Sequence, residues 1–400
     1  VDLIDSAQKV VGYPAIFRDY ILRTAERNLA QLEVNHSAPL PLLEQALHIL
    51  TFVLNVDDAW PLARQLLLVM APRMEQAGYR DDWIPFVDTA IARSQTLRDP
   101  LAEAQLSLHL GYLHQLRGRY EVSIAYLQAS ADRYAGLGHP QLQAEALSRW
   151  AYVARLQRNY AEAERLVTAA CQLLSPQDIQ LAFCDFVRGA IANDQRDWTG
   201  AIAYVRASLA AYQRVGDQRM IALRLGNLGS PLFMNQQYPE AIACYEQAIA
   251  LFAELPDPVQ QAVMQMNLGN VYSVLEQPEQ ALALYAAALP ILRRVRDELH
   301  LAMLDTNRGI AHRQCQHWSD AETLFLAAIE RWRQLGNARS QANAYDELGV
   351  TYLTQGQVSM AKGAFLCAYN LLIVNASAPS HAALLETVKG HLAEVGMSVN

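Results

Sequence analysis

A small residue stands at Gly111, Ala151, Gly189, Gly229, Gly269, Gly309 and Gly349, with separations of 40, 38, 40, 40, 40 and 40. Nine residues after each comes Tyr120, Tyr160, Trp198, Tyr238, Pro278, Trp318 or Val358, and three further on Ser123, Ala163, Ala201, Ala241, Ala281, Ala321 or Ala361. Three coordinated columns through seven copies constrain the fold more than any other feature of the chain, because each copy must be one supersecondary unit that packs on the next. A chain of 400 residues, 52% hydrophobic, exceeds the size at which a single core stops growing, so a repetitive architecture is expected on that ground as well.

Within each copy, two segments with apolar residues at helical spacing flank a polar turn, such as Arg117-Gly118-Arg119 before Tyr120 or Gln236-Gln237 before Tyr238. The spacing predicts a helical hairpin per copy. Gly138, Gly216 and Gly336 share one register between copies, where a helix end calls for the left-handed conformation. The single separation of 38 is expected to come from a shorter connection at Ser175-Pro176-Gln177. The small residue lets a neighbouring helix approach, the residue after the turn covers the gap, and the alanine seats the second helix. Such a hairpin cannot cover its own apolar face; stacking covers it and gives a solenoid.

The pattern resembles the tetratricopeptide repeat at Leu268-Gly269, Tyr272, Pro278 and Ala281, and again at Leu348-Gly349, Tyr352, Val358 and Ala361. The resemblance spans about residues 58 to 375 and implies an all-α, right-handed solenoid of about eight hairpins. The period exceeds the family's usual value of about 34, so both helices of each hairpin are expected to be extended. Pro278 and Val358 depart from the aromatic column.

Projecting the period backwards makes residues 58–100 a degenerate hairpin, with Asp57-Asp58 as its N-terminal cap and a stop at Asp99-Pro100. "FRDYILRTAERNLAQL" and "PLLEQALHILTFVL" read as two further helices within residues 1–57, joined by "NHSAPLP". Residues 101–375 hold the seven regular copies. Residues 376–400 hold a last helix, capped at Pro379-Ser380 and ending near 395, suited to cover the exposed end of the stack. The stretch "FRDYILRTAERNLAQLE", with the segment from "DDAWPLARQ" to "SQTLRD", resembles the connection between ATPase core and repeats in bacterial signal-transduction ATPases with numerous domains. That resemblance implies the sensor arm of a larger switch protein. The chain opens at Val1 rather than Met, which reads as a processed form or a piece of something longer.

A formal charge of -8 opposes direct nucleic-acid binding, which needs a basic stripe. No apolar run is long enough to cross a bilayer, so no membrane partner is expected. Cys171, Cys184, Cys244, Cys315 and Cys367 are odd in number and scattered, as in the reducing cytoplasm. Lysine occurs only at Lys9, Lys362 and Lys389, none after a glycine-rich loop, so no phosphate-cradling P-loop is present. Catalytic signatures are also missing: the chain has no G-x-S-x-G elbow and no H-E-x-x-H helix. The nearest thing to a metal cluster is His312, Cys315 and His317 in "AHRQCQHW". It reads as a small buried thiol beside two surface imidazoles, while His109 and His114 are weaker candidates. Neither a metal nor another cofactor is expected, and no enzyme activity.

The first helices should line one side of the stack. Asn227, Asn267 and Asn307 each stand two positions before the small column, with Asn270 nearly on the same face. An amide offers donors and an acceptor, so such a row suits the backbone of an extended peptide. In the tetratricopeptide family, Asn at these positions contributes to peptide grooves and works with Lys and Arg in carboxylate-binding members; Asn343 and Glu347 stand where those basic partners would be. Arg149, Arg188, Arg224, Arg308 and Arg313 also enter first helices, and those facing inward would favour an acidic or phosphate-bearing partner. Arg308 replaces the leucine of Leu228, Leu268 and Leu348. Pro231 interrupts the helix after Gly229. The expected function is non-enzymatic binding of a protein or peptide, as a scaffold or sensor arm. The alternative is a small-molecule inducer domain of a transcriptional or signalling regulator, favoured by a closed cavity lined by aromatics and Arg.

Overall fold

The computed structural model describes residues 15–34, 40–255, 257–374 and 379–397. The joint "NHSAPLP" and the boundary at 375 and 376 fall largely outside them. Among the described residues there are 19 α-helices and one short 3-10 turn, with no strand. Helices α1 (Ala15–Val34) and α2 (Leu40–Val53) precede the 3-10 turn Asp57–Ala59. Eight successive pairs follow. They are α3 (Trp60–Gln76) and α4 (Arg80–Thr96), α5 (Pro100–Leu116) and α6 (Tyr120–Leu137), α7 (Pro140–Leu156) and α8 (Tyr160–Gln172), α9 (Leu181–Asp194) and α10 (Trp198–Val215). The series continues with α11 (Gln218–Met234) and α12 (Tyr238–Glu254), α13 (Pro258–Val274) and α14 (Pro278–Arg294), α15 (Glu298–Gln314) and α16 (Trp318–Gln334), α17 (Ala338–Thr354) and α18 (Val358–Ile373). Helix α19 (Pro379–Glu394) ends the series where a final helix is expected.

The long period has a simple origin. Most helices of the array are 17 residues long, and three-residue turns separate most of them. Left-handed residues punctuate the chain about once per helix: between hairpins Gly138, Gly216 and Gly336 stand at φ 71°, 75° and 67°, and within hairpins Arg158, Arg196, Gln236 and Gln316 stand at φ 60–65°. Asp99, Asn159, Asp197, Asp217, Asp297 and Asn337 cap the helices that follow, each accepting from the N–H three residues on. Asp57 and Asp58 do not cap α3 as the sequence suggests: they form the 3-10 turn, and Ala59 occupies the cap position without a side-chain bond. The separation of 38 is also corrected. Its connection, 173–180, is longer than the others, and α8 and α9 are shortened to 13 and 14 residues.

The small columns do what close packing demands. Ser123 and all six alanines of its column are 0% exposed. A Cβ built on Gly111, Gly189, Gly269, Gly309 or Gly349 would lie 2.4–2.8 Å from Leu127, Val205, Tyr285, Phe325 or Phe365, each sixteen residues on in the partner helix. Only hydrogen fits there. Burying each of those side chains stabilises the hairpin by about 2 kcal/mol. The chain divides into two compact units, residues 1–237 with 250–258, and residues 238–249 with 259–400. In the first, the core runs from Ile21 and Leu32 through Trp83 to Leu113, and further clusters surround Tyr134 and Val167. In the second, it gathers around Tyr285 and Phe325 and continues to Leu392 on α19.

Candidate functional site

In the first unit the first helices of successive hairpins turn charged and aromatic side chains toward one another. Tyr112 on α5 donates its hydroxyl to Glu75 on α3 at 3.1 Å. Arg219, at the start of α11, donates to the same Glu75 oxygen at 3.3 Å and to Asp257 at 2.9 Å. On α7, Arg149 pairs with Glu145 one turn away at 3.3 Å. Its guanidinium lies over the Tyr112 ring at 4.9 Å and the Phe183 ring of α9 at 5.5 Å. Helical spacing explains the convergence, because Arg149 and Tyr152, and likewise Phe183 and Phe186, are three apart and share a face. Tyr152 then stacks on Phe186 at 5.4 Å.

Arg224 of α11 sits deepest. It is 2% exposed, and its guanidinium lies 3.8 Å from the Phe186 centroid, with Tyr212 at 5.7 Å and Phe183 at 5.8 Å. Its buried Nε and Nη1 have no hydrogen-bond partner among the described residues. Burial pulls its pKa down to about 10, and the charge of Arg149 acts in the same direction. It remains a cation at neutral pH. Burial also opposes the charge of Arg149, but Glu145 and Tyr112 outweigh it and hold that pKa above the usual range. Two guanidiniums thus flank the Phe183 ring, one paired and one unpaired.

The other residues singled out in the sequence are distributed differently. Of the five arginines, Arg149 and Arg224 join this cluster, while Arg188 turns to Glu164 at 3.0 Å. Asn227, half-buried on α11, belongs to the first unit. In the second unit Asn267, Asn307 and Asn343 are half-buried on α13, α15 and α17. Asn270 accepts the Tyr285 hydroxyl at 2.8 Å, which ties it to the core. Arg308 lies 3.6 Å from Asp305, and Arg313 pairs with Glu347 at 2.7 Å. Pro231 lies inside α11 and is buried. Sequence reasoning missed Glu75, Arg219 and the Phe183–Phe186 pair. Arg224 stands five residues before Gly229, and Phe183 six before Gly189: adjacent positions of the repeat, each about one turn from the Asn row, and that closeness is the signal the sequence holds for both.

Residues 186–254 and 220–294 match the tetratricopeptide repeat family model. Residues 186–294 thus carry tetratricopeptide repeats, and the helical pairs on either side share their fold. No curated protein sequence matches it. Among solved structures, the array is similar to the signal-transduction ATPase with numerous domains from Pyrococcus horikoshii that has a tetratricopeptide repeat sensor, at 14% identity and TM-score 0.58. That likeness covers 89% of this chain and 55% of the ATPase. A Rap protein complexed with competence and sporulation factor matches at 16% identity and TM-score 0.54, over 86% of this chain and 99% of its own. NprR in complex with its cognate peptide matches at 14% and 0.51, over 62% and 72%. At such identities the likeness concerns the fold. Among the described residues, no helix is long and apolar enough to cross a membrane.

Proposed function

We propose that this tetratricopeptide array binds an acidic peptide or protein segment against the side of its first unit formed by α5, α7, α9 and α11. Arg224 carries the reading. A buried cation without a hydrogen-bonded counter-ion costs several kcal/mol, and stacking on aromatic rings recovers about 2 kcal/mol. A partner's carboxylate that displaces the covering aromatic side chains would satisfy its two unpaired donors with charge-assisted bonds. Arg149 and the faces of Phe183 and Tyr112 extend the surface to neighbouring side chains of the same segment.

Two proteins of this fold support the reading through what they hold, competence and sporulation factor in one and a cognate peptide in the other. In this scheme Asn227 offers its amide to peptide backbone in the first unit; in the second unit, taken by itself, Asn267, Asn307 and Asn343 offer the same contact, and Arg308 and Arg313 can exchange Asp305 and Glu347 for acidic groups of a partner. Residues 58–375 are the recognition array, α19 its cap, and the likeness to the ATPase favours a sensor arm within a larger cytoplasmic regulator. A small anionic inducer is the second reading, favoured by the Arg219–Glu75 contact that draws α3 and α11 together beside the cluster.

Panning a random displayed-peptide library against the protein tests this. Enriched sequences should be rich in Asp and Glu, and a synthetic member should bind Arg224→Gln at least about tenfold more weakly, one lost charge-assisted bond being worth about 1.5–3 kcal/mol. Enrichment of peptides indifferent to Arg149→Gln and Arg224→Gln, with both variants folded, would reject the site.

A further inference from the structure

In the second unit, α15 and α16 are joined by Cys315, Gln316 and His317, with Gln316 left-handed at φ 60°. The turn is closed by the His317 N–H, which donates to the His312 carbonyl at 2.9 Å. The same closure recurs from Arg119 to His114, Gln237 to Leu232, Gln277 to Tyr272 and Gln357 to Tyr352. The repeat itself therefore brings residues five apart into contact, and in this hairpin both are histidines. Their Nδ1 atoms stand 3.4 Å apart. Asp320, in the first turn of α16, places Oδ2 4.0 Å from the His312 Nδ1. All three donor atoms lie within 4.8 Å of one another.

The nitrogen separation is informative. At 3.4 Å the two nitrogens stand at the long end of a hydrogen bond, whose N–H···O counterpart prefers about 2.9–3.0 Å. A tetrahedral zinc ion with Zn–N bonds of about 2.0–2.1 Å sets its two nitrogens about 3.3–3.4 Å apart. The carboxylate has only a short way to travel, and its side chain is 68% exposed and free to rotate. Burial keeps the His312 imidazole below its usual pKa, a shift that Asp320 opposes and Arg308 and His317 reinforce.

We propose that His312, His317 and Asp320 bind a divalent transition-metal ion of the zinc type through two Nδ1 atoms and one carboxylate oxygen, leaving a fourth position for water. Imidazole and carboxylate donors in this number suit Zn²⁺, Co²⁺ or Ni²⁺ rather than Mg²⁺ or Ca²⁺, which prefer oxygen. Cys315, the third member of the sequence cluster, is not a ligand. Its Sγ faces Glu279 Oε1 at 4.0 Å, and the three donor atoms that gather here come from His312, His317 and Asp320. The metal would clamp α15 to α16 across the turn.

The full chain, stripped with chelator and desalted, is titrated with Zn²⁺ by calorimetry and with Co²⁺ by visible absorption. One equivalent should bind, with the Co²⁺ band of a tetrahedral site. His317→Gln and Asp320→Asn should each weaken binding at least about tenfold, and Cys315→Ser should leave it unchanged. Circular dichroism verifies that each variant keeps its helices. Absence of stoichiometric uptake by the wild type, uptake that persists in a His312→Gln/His317→Gln double variant, or loss in Cys315→Ser would each overturn the assignment.

Discussion

Arg219 and Glu75 lie 144 positions apart, and their side chains meet at 3.3 Å. No periodicity announces that contact, because it depends on how hairpins accumulate through the first unit rather than on any one of them. Glu75 is 7% exposed at its side chain and Asp257 2%, so Arg219 is the cation that allows two carboxylates to be buried beside it. Arg219→Met should cost about 3 kcal/mol, since it removes the positive charge beside two buried carboxylates. Glu75→Gln, which keeps an acceptor for Tyr112, should cost about 1 kcal/mol. Urea unfolding followed by circular dichroism distinguishes the two, and equal effects would show that the contact contributes no charge pairing.

Gly349 and Gly363 belong to the same hairpin and should respond oppositely to alanine. A Cβ on Gly349 would meet Phe365 Cε1 at 2.4 Å, whereas a Cβ on Gly363 meets nothing within 4 Å. Gly349→Ala overpacks a fully buried ring and should lose about 1–3 kcal/mol. Gly363→Ala removes a flexible residue from an exposed helix face and should gain about 1 kcal/mol. Thermal melts shifting in opposite directions are the expected result; a neutral Gly349→Ala would mean the helices separate at little cost.

The fold was legible because its determinants are local and repeated. The Gly column, the Ala column twelve residues beyond it, the packing side chain sixteen residues beyond it, and the glycines at left-handed helix ends all leave a mark at fixed spacing. What escaped depends on exceptions to the period. Leu181 starts α9 after an eight-residue connection where arithmetic suggested a shorter one, because a deficit of two residues can hide two short helices and a long link. Asp320 leaves no mark beside His312 and His317 in the sequence, because helical spacing relates residues within one helix, whereas this turn joins residues across two. Arg224 was noticed as an arginine in a first helix, but its aromatic nest draws on Phe183, Phe186 and Tyr212, up to 41 positions away, and only packing brings them together.

His109 should make the first unit acid-sensitive. Trp83, fully buried, donates its indole N–H to His109 Nε2 at 2.9 Å, which requires an unprotonated acceptor. Burial, aided by the charge of Arg149, lowers the imidazole to about 4 from 6.5. The folded value lies below that of the unfolded chain. The neutral ring therefore contributes its full stability above pH 6.5, and that contribution falls as pH drops through about 4. The loss amounts to at most about 3 kcal/mol. His109→Gln, whose amide oxygen can accept from Trp83 at any pH, should flatten the unfolding free energy between pH 6.5 and 4. An unchanged slope would assign the acid sensitivity to other groups.

Arg224→Met should separate stability from binding. The guanidinium is buried with two donors unpaired, and methionine fills a similar volume against Phe183, Phe186 and Tyr212 without a charge to desolvate. Replacing a buried charge by a hydrophobic side chain is often neutral or stabilising by about 1–4 kcal/mol, although here about 2 kcal/mol of cation–π attraction to the rings is given up. The expected outcome is a variant at least as resistant to urea as the wild type that no longer retains acidic peptides. A residue kept for packing would give the reverse, a less stable protein with its affinity intact. Measuring both quantities on one preparation decides between a side chain that holds the hairpins together and one held there for a ligand.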